Sequence, residues 1–293
     1  MKTALLMMAY GSPERKEDIM EYLRDVYSGN EPPAFAVDET NSKYSKFGYR
    51  SPSSDIIRKF TAQIRNAVKD MDVFISFKHW KPGIDEVVRS IEKDNYERIF
   101  LLPLFPIKNS SIQNSYIDPF NNALIRMGFS PNVVVVNGMM QAKSLTEYWI
   151  KSLSDSYREG DMVLFTAHSL PHTVEQEREY HDIFRDWSEQ IAKASGVKDF
   201  AHAFQSKGSY GKTWLEPSIY QILDSIESEN YEEILTVPIG FIYDHLEVLY
   251  DLDYLFSSKV IERGMKYRRV GLPNNSPLMV RTIQECVELM KNE

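Results

Sequence analysis

A single cysteine, Cys286, stands in 293 residues, so one chain builds no disulfide, no thiolate zinc site and no protein-held iron–sulfur cluster. Long apolar runs are missing too. The amino-terminal run Ala4 to Ala9 is one strand long and leads into Tyr10-Gly11-Ser12-Pro13 rather than a small-residue cleavage pattern. No stretch approaches the roughly 18 apolar residues that span a bilayer. Basic charge is scarce: 34 Lys plus Arg face 42 Asp plus Glu, a net −8, which disfavours a nucleic-acid or anionic-membrane surface. Neither GxGxxG nor GxxxxGK[ST] follows a strand-like run, and GxSxG and HExxH are absent. These absences leave a cytoplasmic protein with a small-molecule partner, no transmembrane segment and no nucleic acid.

What the chain does have is 43% hydrophobic and 26% charged residues, the balance of an ordinary globular protein. It also repeats itself. Residues 82–103 (PGIDEVVRSIEKDNYERIFLLP) align without gaps on 217–238 (PSIYQILDSIESENYEEILTVP), with ten of 22 positions identical. Each copy carries apolar residues at helical spacing (Ile84, Val87, Val88, Ile91; Ile219, Ile222, Leu223, Ile226), then Asn-Tyr-Glu, then an apolar run to Pro103 or Pro238. A weaker echo sets Ala4–Pro13 beside Met162–Pro171, which places Tyr10 and His168 in equivalent positions. Continuous rather than alternating apolarity marks strands covered on both faces.

The pattern therefore predicts an α/β fold of two similar Rossmann-like halves with mostly parallel sheets and a cleft between them. Strands are expected near 3–9, 72–77, 98–104 and 132–136, then 161–167, 199–205, 233–239 and 266–270. The halves divide at 1–140 and 141–275, with a carboxyl-terminal helix, 276–292, returning to the first. In such sheets ligands bind beyond the carboxyl ends of the strands.

Two such ends carry chemistry. His168 closes one apolar run, a place that suits a structural histidine as well as a functional one. After the run ending at Pro238 comes GFIYDHLEVLYDLD, in which Asp244, Glu247 and Asp251 fall at i, i+3 and i+7, one face of a regular helix. Asp244 alone would serve as an acid complementing the helix dipole. Three carboxylates beside Leu246, Val248 and Leu249 repel unless a cation or proton joins them. Imidazole with carboxylate suits Fe(II), Co(II) or Zn(II).

These residues also carry a family. Phe165-Thr166-Ala167-His168-Ser169-Leu170-Pro171 resembles one ferrochelatase signature, and Gly240-Phe241 through Asp244-His245-Leu246-Glu247-Val248-Leu249-Tyr250-Asp251 resembles a second. Met8-Ala9-Tyr10-Gly11-Ser12-Pro13, Tyr44 through Ser51-Pro52, Phe77-Lys78-His79 and Gln205-Ser206 through Trp214-Leu215 match further motifs in order. The resemblance implies insertion of ferrous iron into a free-base porphyrin, with coproporphyrin III favoured and protoporphyrin IX the alternative. Iron is then a substrate, no cofactor is permanently held, and a transient iron donor or a downstream heme-pathway enzyme is the protein partner to expect.

By the same resemblance His168 and Glu247 receive metal or protons, with Asp244 and Asp251 as a relay, and Tyr10 approaches as axial ligand. Tyr10, Lys43, Tyr44, Ser51, Lys78 and Tyr116 fall on porphyrin contacts. Whether His168 chiefly coordinates or deprotonates stays open. Lys43 stands where relatives carry arginine, keeping the charge without the bidentate fork, and Tyr27, Ser28 and Asn30 occupy another expected arginine region. The competing readings are a sirohydrochlorin chelatase and a non-enzymatic tetrapyrrole or metal carrier.

Overall fold

The computed structural model describes residues 2–136, 138–171, 175–208 and 213–292. In the first half, strands β1 (Thr3–Ala9), β2 (Asp72–Phe77), β3 (Arg98–Pro103) and β4 (Asn132–Val135) form a parallel sheet in the order β2-β1-β3-β4. The second repeats it with β5 (Asp161–His168), β6 (Phe200–Gln205), β7 (Glu233–Val237) and β8 (Lys266–Arg269) in the order β6-β5-β7-β8. The expected strands are all found, with ends shifted by one or two residues.

Along β1 the side chains alternate between two cores. Leu5, Met7 and Ala9 join the apolar body that also contains β5 and β7, while Ala4, Leu6 and Met8 pack with Val88, Ile91 and Phe120 on the other face. Both faces are covered, which is why the run reads as continuously apolar. The second set rests on α4 (Ile84–Lys93) and α5 (Ser110–Met127). Helices α1 (Ile19–Val26), α2 (Ala34–Ser45) and α3 (Ser53–Ala67) lie between β1 and β2 in the chain. α6 (Lys143–Ser156) crosses to the second half, and α10 (Pro277–Lys291) lies against α6 and α3. Glu285 of α10 fixes that contact by accepting hydrogen bonds from Ser144 N at 3.0 Å and Ser144 Oγ at 2.6 Å.

The sequence repeat is a structural repeat. α4 feeds β3 as α8 (Ile219–Ser225) feeds β7, and each unit opens on a proline whose carbonyl accepts from the preceding strand: Phe77 N to Pro82 O and Phe204 N to Pro217 O, both 2.8 Å. Ser218 adds a capping box with Gln221, the reciprocal pair that satisfies two orphan donors at a helix start. The remaining helices are α7 (Glu175–Ala194) and α9 (Ser257–Glu262). Among the described residues no helix is long and apolar enough to cross a membrane.

The segment after β7 departs from expectation. Asp244 and His245 lie outside any helix, Leu246–Glu247 form its first residues, and Val248–Phe256 wind as a π-helix. The reading of Asp244, Glu247 and Asp251 as one face of a regular helix is thereby corrected. π-Helical bonds run i to i+5, so the 3.6-residue spacing does not apply.

Candidate functional site

The carboxyl ends of β1, β5 and β7 converge on a cleft of about 480 Å³ lined from both halves. His168 is the last residue of β5, and its Nδ1 lies 2.5 Å from the carbonyl of Ser169. A neutral imidazole bonded this way carries its proton on Nδ1 and turns the Nε2 lone pair outward. Tyr180, almost fully buried, donates to the His168 carbonyl at 3.3 Å and fixes the backbone from below.

Glu247 arrives from the other side of the sheet centre. The chain leaves β7 and passes so close to β5 that a Cβ on Gly240 would meet Ala167 Cα at 2.6 Å and Ala167 Cβ at 2.7 Å. Only glycine fits that crossing. Gly240 N donates to Thr166 O at 3.1 Å, tying the turn to β5 one residue before the Ala167 contact. Glu247 Oε2 then lies 3.7 Å from His168 Nε2 and 3.8 Å from His245 Nε2. His245 repeats the His168 arrangement, with Nδ1 3.0 Å from the Tyr243 carbonyl. Two imidazole Nε2 atoms thus flank one carboxylate.

An ion bonded at about 2.1 Å to both His168 Nε2 and Glu247 Oε2 would subtend an angle of roughly 120° between them, a normal coordination angle. Among the described residues no group of three or more His, Cys, Asp or Glu converges as a cage. Two donors and an open side make a site that can release what it receives. Desolvation in the cleft works against the Glu247 charge, but the nearby imidazoles of His245 and His168 and the Lys43 ammonium outweigh it and lower this carboxyl to about 2. The carboxylate is ionised at neutral pH and is the negative centre of the cleft.

Asp251 sits further along the π-helix, bonded to Ser206 Oγ. Burial and the neighbouring Glu247 charge raise its pKa despite that bond. Asp244 is placed differently from the expectation that it joins the relay. It is not part of the cleft lining, and its carboxylate accepts Arg269 Nη2 at 2.9 Å and Asn274 Nδ2 at 2.7 Å. No cation is needed to relieve it, because a guanidinium already does.

Tyr10 lies on the first-half wall, its ring edge-on to His79 with centroids 4.7 Å apart. His79 Nδ1 bonds Asp25 Oδ2 at 2.7 Å. Tyr10 is open to the cleft, and partial desolvation there, helped by the charges of Glu247 and Asp25, pushes its hydroxyl upward, so it is a neutral phenol. Tyr44 and Tyr116, both buried, line the same cleft, as do Lys43, Ser51 and Lys78. The Lys78 ammonium stands 5.8 Å from the Tyr10 ring centre and 5.5 Å from that of Tyr116. Lys43 pairs with Glu39 at 2.7 Å. The residues expected to touch ligand therefore line one cavity, whereas the two expected relay acids, Asp244 and Asp251, are not part of its lining.

Some lining residues were not foreseen. Ser53 Oγ bonds Ser51 Oγ at 2.9 Å and Ser12 Oγ at 3.1 Å, a buried row of three hydroxyls. Tyr22, Tyr243 and His245 also face the cavity. His245 carried a signal, since it stands two residues from Glu247; isolated serines and tyrosines carry none. His181 lies on α7 beside His202, ring centroids 5.7 Å apart and away from the cleft lining, while His172 and the 209–212 part of the Gln205–Leu215 motif fall outside the described residues.

Two parallel-sheet halves closing on an imidazole–carboxylate pair define a chelatase-type fold. It is shared with the cobalt complex of the sirohydrochlorin chelatase SirB from Bacillus subtilis subspecies spizizenii: TM-score 0.65, 12% identity, covering 100% of this chain and 97% of that one. The sequence profile of the ferrochelatases matches residues 2–290, and the chain belongs to that family. A ferrochelatase of Thermoplasma acidophilum is 40% identical over 287 residues, spanning 98% of this chain and 90% of the relative. A coproporphyrin III ferrochelatase of Geobacillus thermodenitrificans is 27% identical, spanning 97% of this chain and 94% of the relative.

Proposed function

We propose that the protein inserts ferrous iron into a free-base porphyrin, with coproporphyrin III as the preferred ring. The observation that carries this reading is the 3.7 Å separation of His168 Nε2 and Glu247 Oε2 at the open floor of a cleft whose other wall presents Tyr10. Metallation requires that two pyrrole protons leave as the metal enters, and bulk water does this slowly. Here each proton can pass to an imidazole Nε2, His168 or His245, with a carboxylate alongside to stabilise the imidazolium. The same carboxylate attracts the incoming cation. Family membership places both substrates in one chemistry, and the site supplies a donor set of borderline character suited to Fe(II).

The rim supports this choice of ring. Coproporphyrin III carries a propionate on every pyrrole, and the cleft offers Lys43, Lys78 and the Ser12–Ser53–Ser51 hydroxyl row as donors to carboxylates. Sirohydrochlorin bears many more carboxylates than these groups can satisfy. Protoporphyrin IX, with fewer propionates and two vinyl groups, would leave some of the donors unpaired. Anaerobic incubation with Fe(II) and each of the three tetrapyrroles, followed by the Soret shift, ranks them. Metallation of coproporphyrin III first supports the proposal; turnover of sirohydrochlorin alone overturns it.

A further inference from the structure

The stretch that carries His245 and Glu247 is irregular through His245, has an i to i+4 bond from Leu249 N to His245 O at 3.1 Å across Leu246–Glu247, and is π-helical from Val248, so Glu247 sits at a junction rather than inside a regular helix. One side chain bridges that stretch from outside. Arg269, at the end of β8, donates through Nε to Asp253 Oδ1 at 2.8 Å and through Nη2 to Asp253 Oδ2 at 2.9 Å. The same Nη2 reaches Asp244 Oδ1 at 2.9 Å. Asp244 stands before the helix and Asp253 within the π-helical turn, with His245, Glu247 and Asp251 between them.

Asn274 completes the brace. Its side chain accepts from Asp244 N at 2.8 Å and donates to Asp244 Oδ2 at 2.7 Å, while its backbone N–H donates to Ile242 O at 2.8 Å. The backbone groups of Ile242 and Asp244 thus take their partners from the loop after β8. Arg269 is only 13% exposed, and its carboxylate partners 20% and 30%, so water competes weakly for these bonds. A fork holding two carboxylates at fixed angles is something guanidinium does and ammonium does not.

We propose that Arg269, seconded by Asn274, is a positioning residue for iron delivery: it cross-braces Asp244 to Asp253 and so holds Glu247 at coordination distance from His168. This inference rests on the reading that Glu247 meets the iron. It touches neither porphyrin nor metal itself, since Arg269 and Asn274 are not among the cleft lining.

The test compares R269K, N274A and E247Q with the parent protein. R269K keeps the charge that offsets Asp244 and Asp253 but loses the fork. Thermal melting establishes folding, fluorescence quenching gives coproporphyrin III affinity, Co(II) absorption titrated without porphyrin gives metal affinity, and initial rates give KM for Fe(II). In R269K we expect porphyrin affinity within about twofold of the parent, with Co(II) affinity weaker and Fe(II) KM higher by about 10–100-fold, as for residues that orient metal ligands. Folded R269K and N274A with parental Co(II) affinity and Fe(II) KM overturn the inference, and so does a parallel loss of porphyrin and metal binding. If R269K fails to fold, the same split in N274A decides. Impaired E247Q beside unaffected R269K sinks the positioning role alone, whereas unaffected E247Q sinks the reading beneath it.

Discussion

His168 Nε2 and Glu247 Oε2 lie 3.7 Å apart although 79 positions separate them, because His168 ends β5 and Glu247 stands on the helix that follows its neighbour β7. Glu247 supplies charge and His168 a lone pair. E247Q removes the charge at nearly constant volume, so metallation should fall by at least about a hundredfold while porphyrin affinity holds, as removal of a preorganised electrostatic partner does elsewhere. Single-turnover Soret spectroscopy with porphyrin prebound checks it; a parental rate refutes the role of the carboxylate.

Tyr10 contributes a neutral phenol and an aromatic face packed on His79. Y10F keeps the face. Its metallation rate should drop by no more than about tenfold, the worth of one hydrogen bond or weak axial contact, and the quenching titration should be unchanged. A loss as deep as that of E247Q would make the hydroxyl essential.

Gly240 leaves no room for a side chain against Ala167. G240A should destabilise the fold by about 1–3 kcal/mol through overpacking and widen the gap between the strand end bearing His168 and the turn bearing Glu247. Denaturant melts and Co(II) titration test both effects. Unchanged stability with unchanged Co(II) affinity contradicts the account of how the pair is assembled.

Arg268 bonds the nearly buried carboxylates of Asp161, at 2.9 Å, and Glu233 where β5 and β7 begin. R268M leaves two acids unpaired at about 3–5 kcal/mol. Chemical denaturation should show that loss, with coproporphyrin affinity of the surviving folded fraction intact. A loss below 1 kcal/mol, about the value of an exposed pair, would show that the network is solvated.

A stability term sensitive to mild acid resides in His202. Burial, then the neighbouring His181 and Arg185, lowers its pKa from the usual 6.5. Below pH 6.5 the unfolded chain binds a proton there while the folded chain does not until its lower pKa is reached. Unfolding free energy should therefore fall as pH drops from 6.5 into that window, and H202N should flatten the slope. An unchanged slope in H202N removes His202 as the source.

The fold was legible because it obeys simple periodicities. Fully buried parallel strands read as unbroken apolar runs, and the 82–103 and 217–238 copies reported the duplication directly. His168, Glu247 and Tyr10 were legible as residues at strand ends. Asp244 was misplaced because a 3.6-residue period was imposed on a segment that is irregular and then π-helical, and because its partner Arg269 lies 25 residues away. Ser51 was named through its motif, but its joining with Ser12 and Ser53 was hidden for a related reason. Only the meeting of the loop after β1 with the start of α3 brings those hydroxyls together, and single serines leave no pattern.

Under the proposed function, one imidazole at the end of β5 and one carboxylate on the helix that follows the neighbouring β7 hand iron to a bound ring. Anaerobic metallation of prebound coproporphyrin III by H168A, timed against the parent protein, tests it most directly. Porphyrin should bind to H168A as before with no Soret shift on the parental timescale; a shift at the parental rate would refute the role of His168.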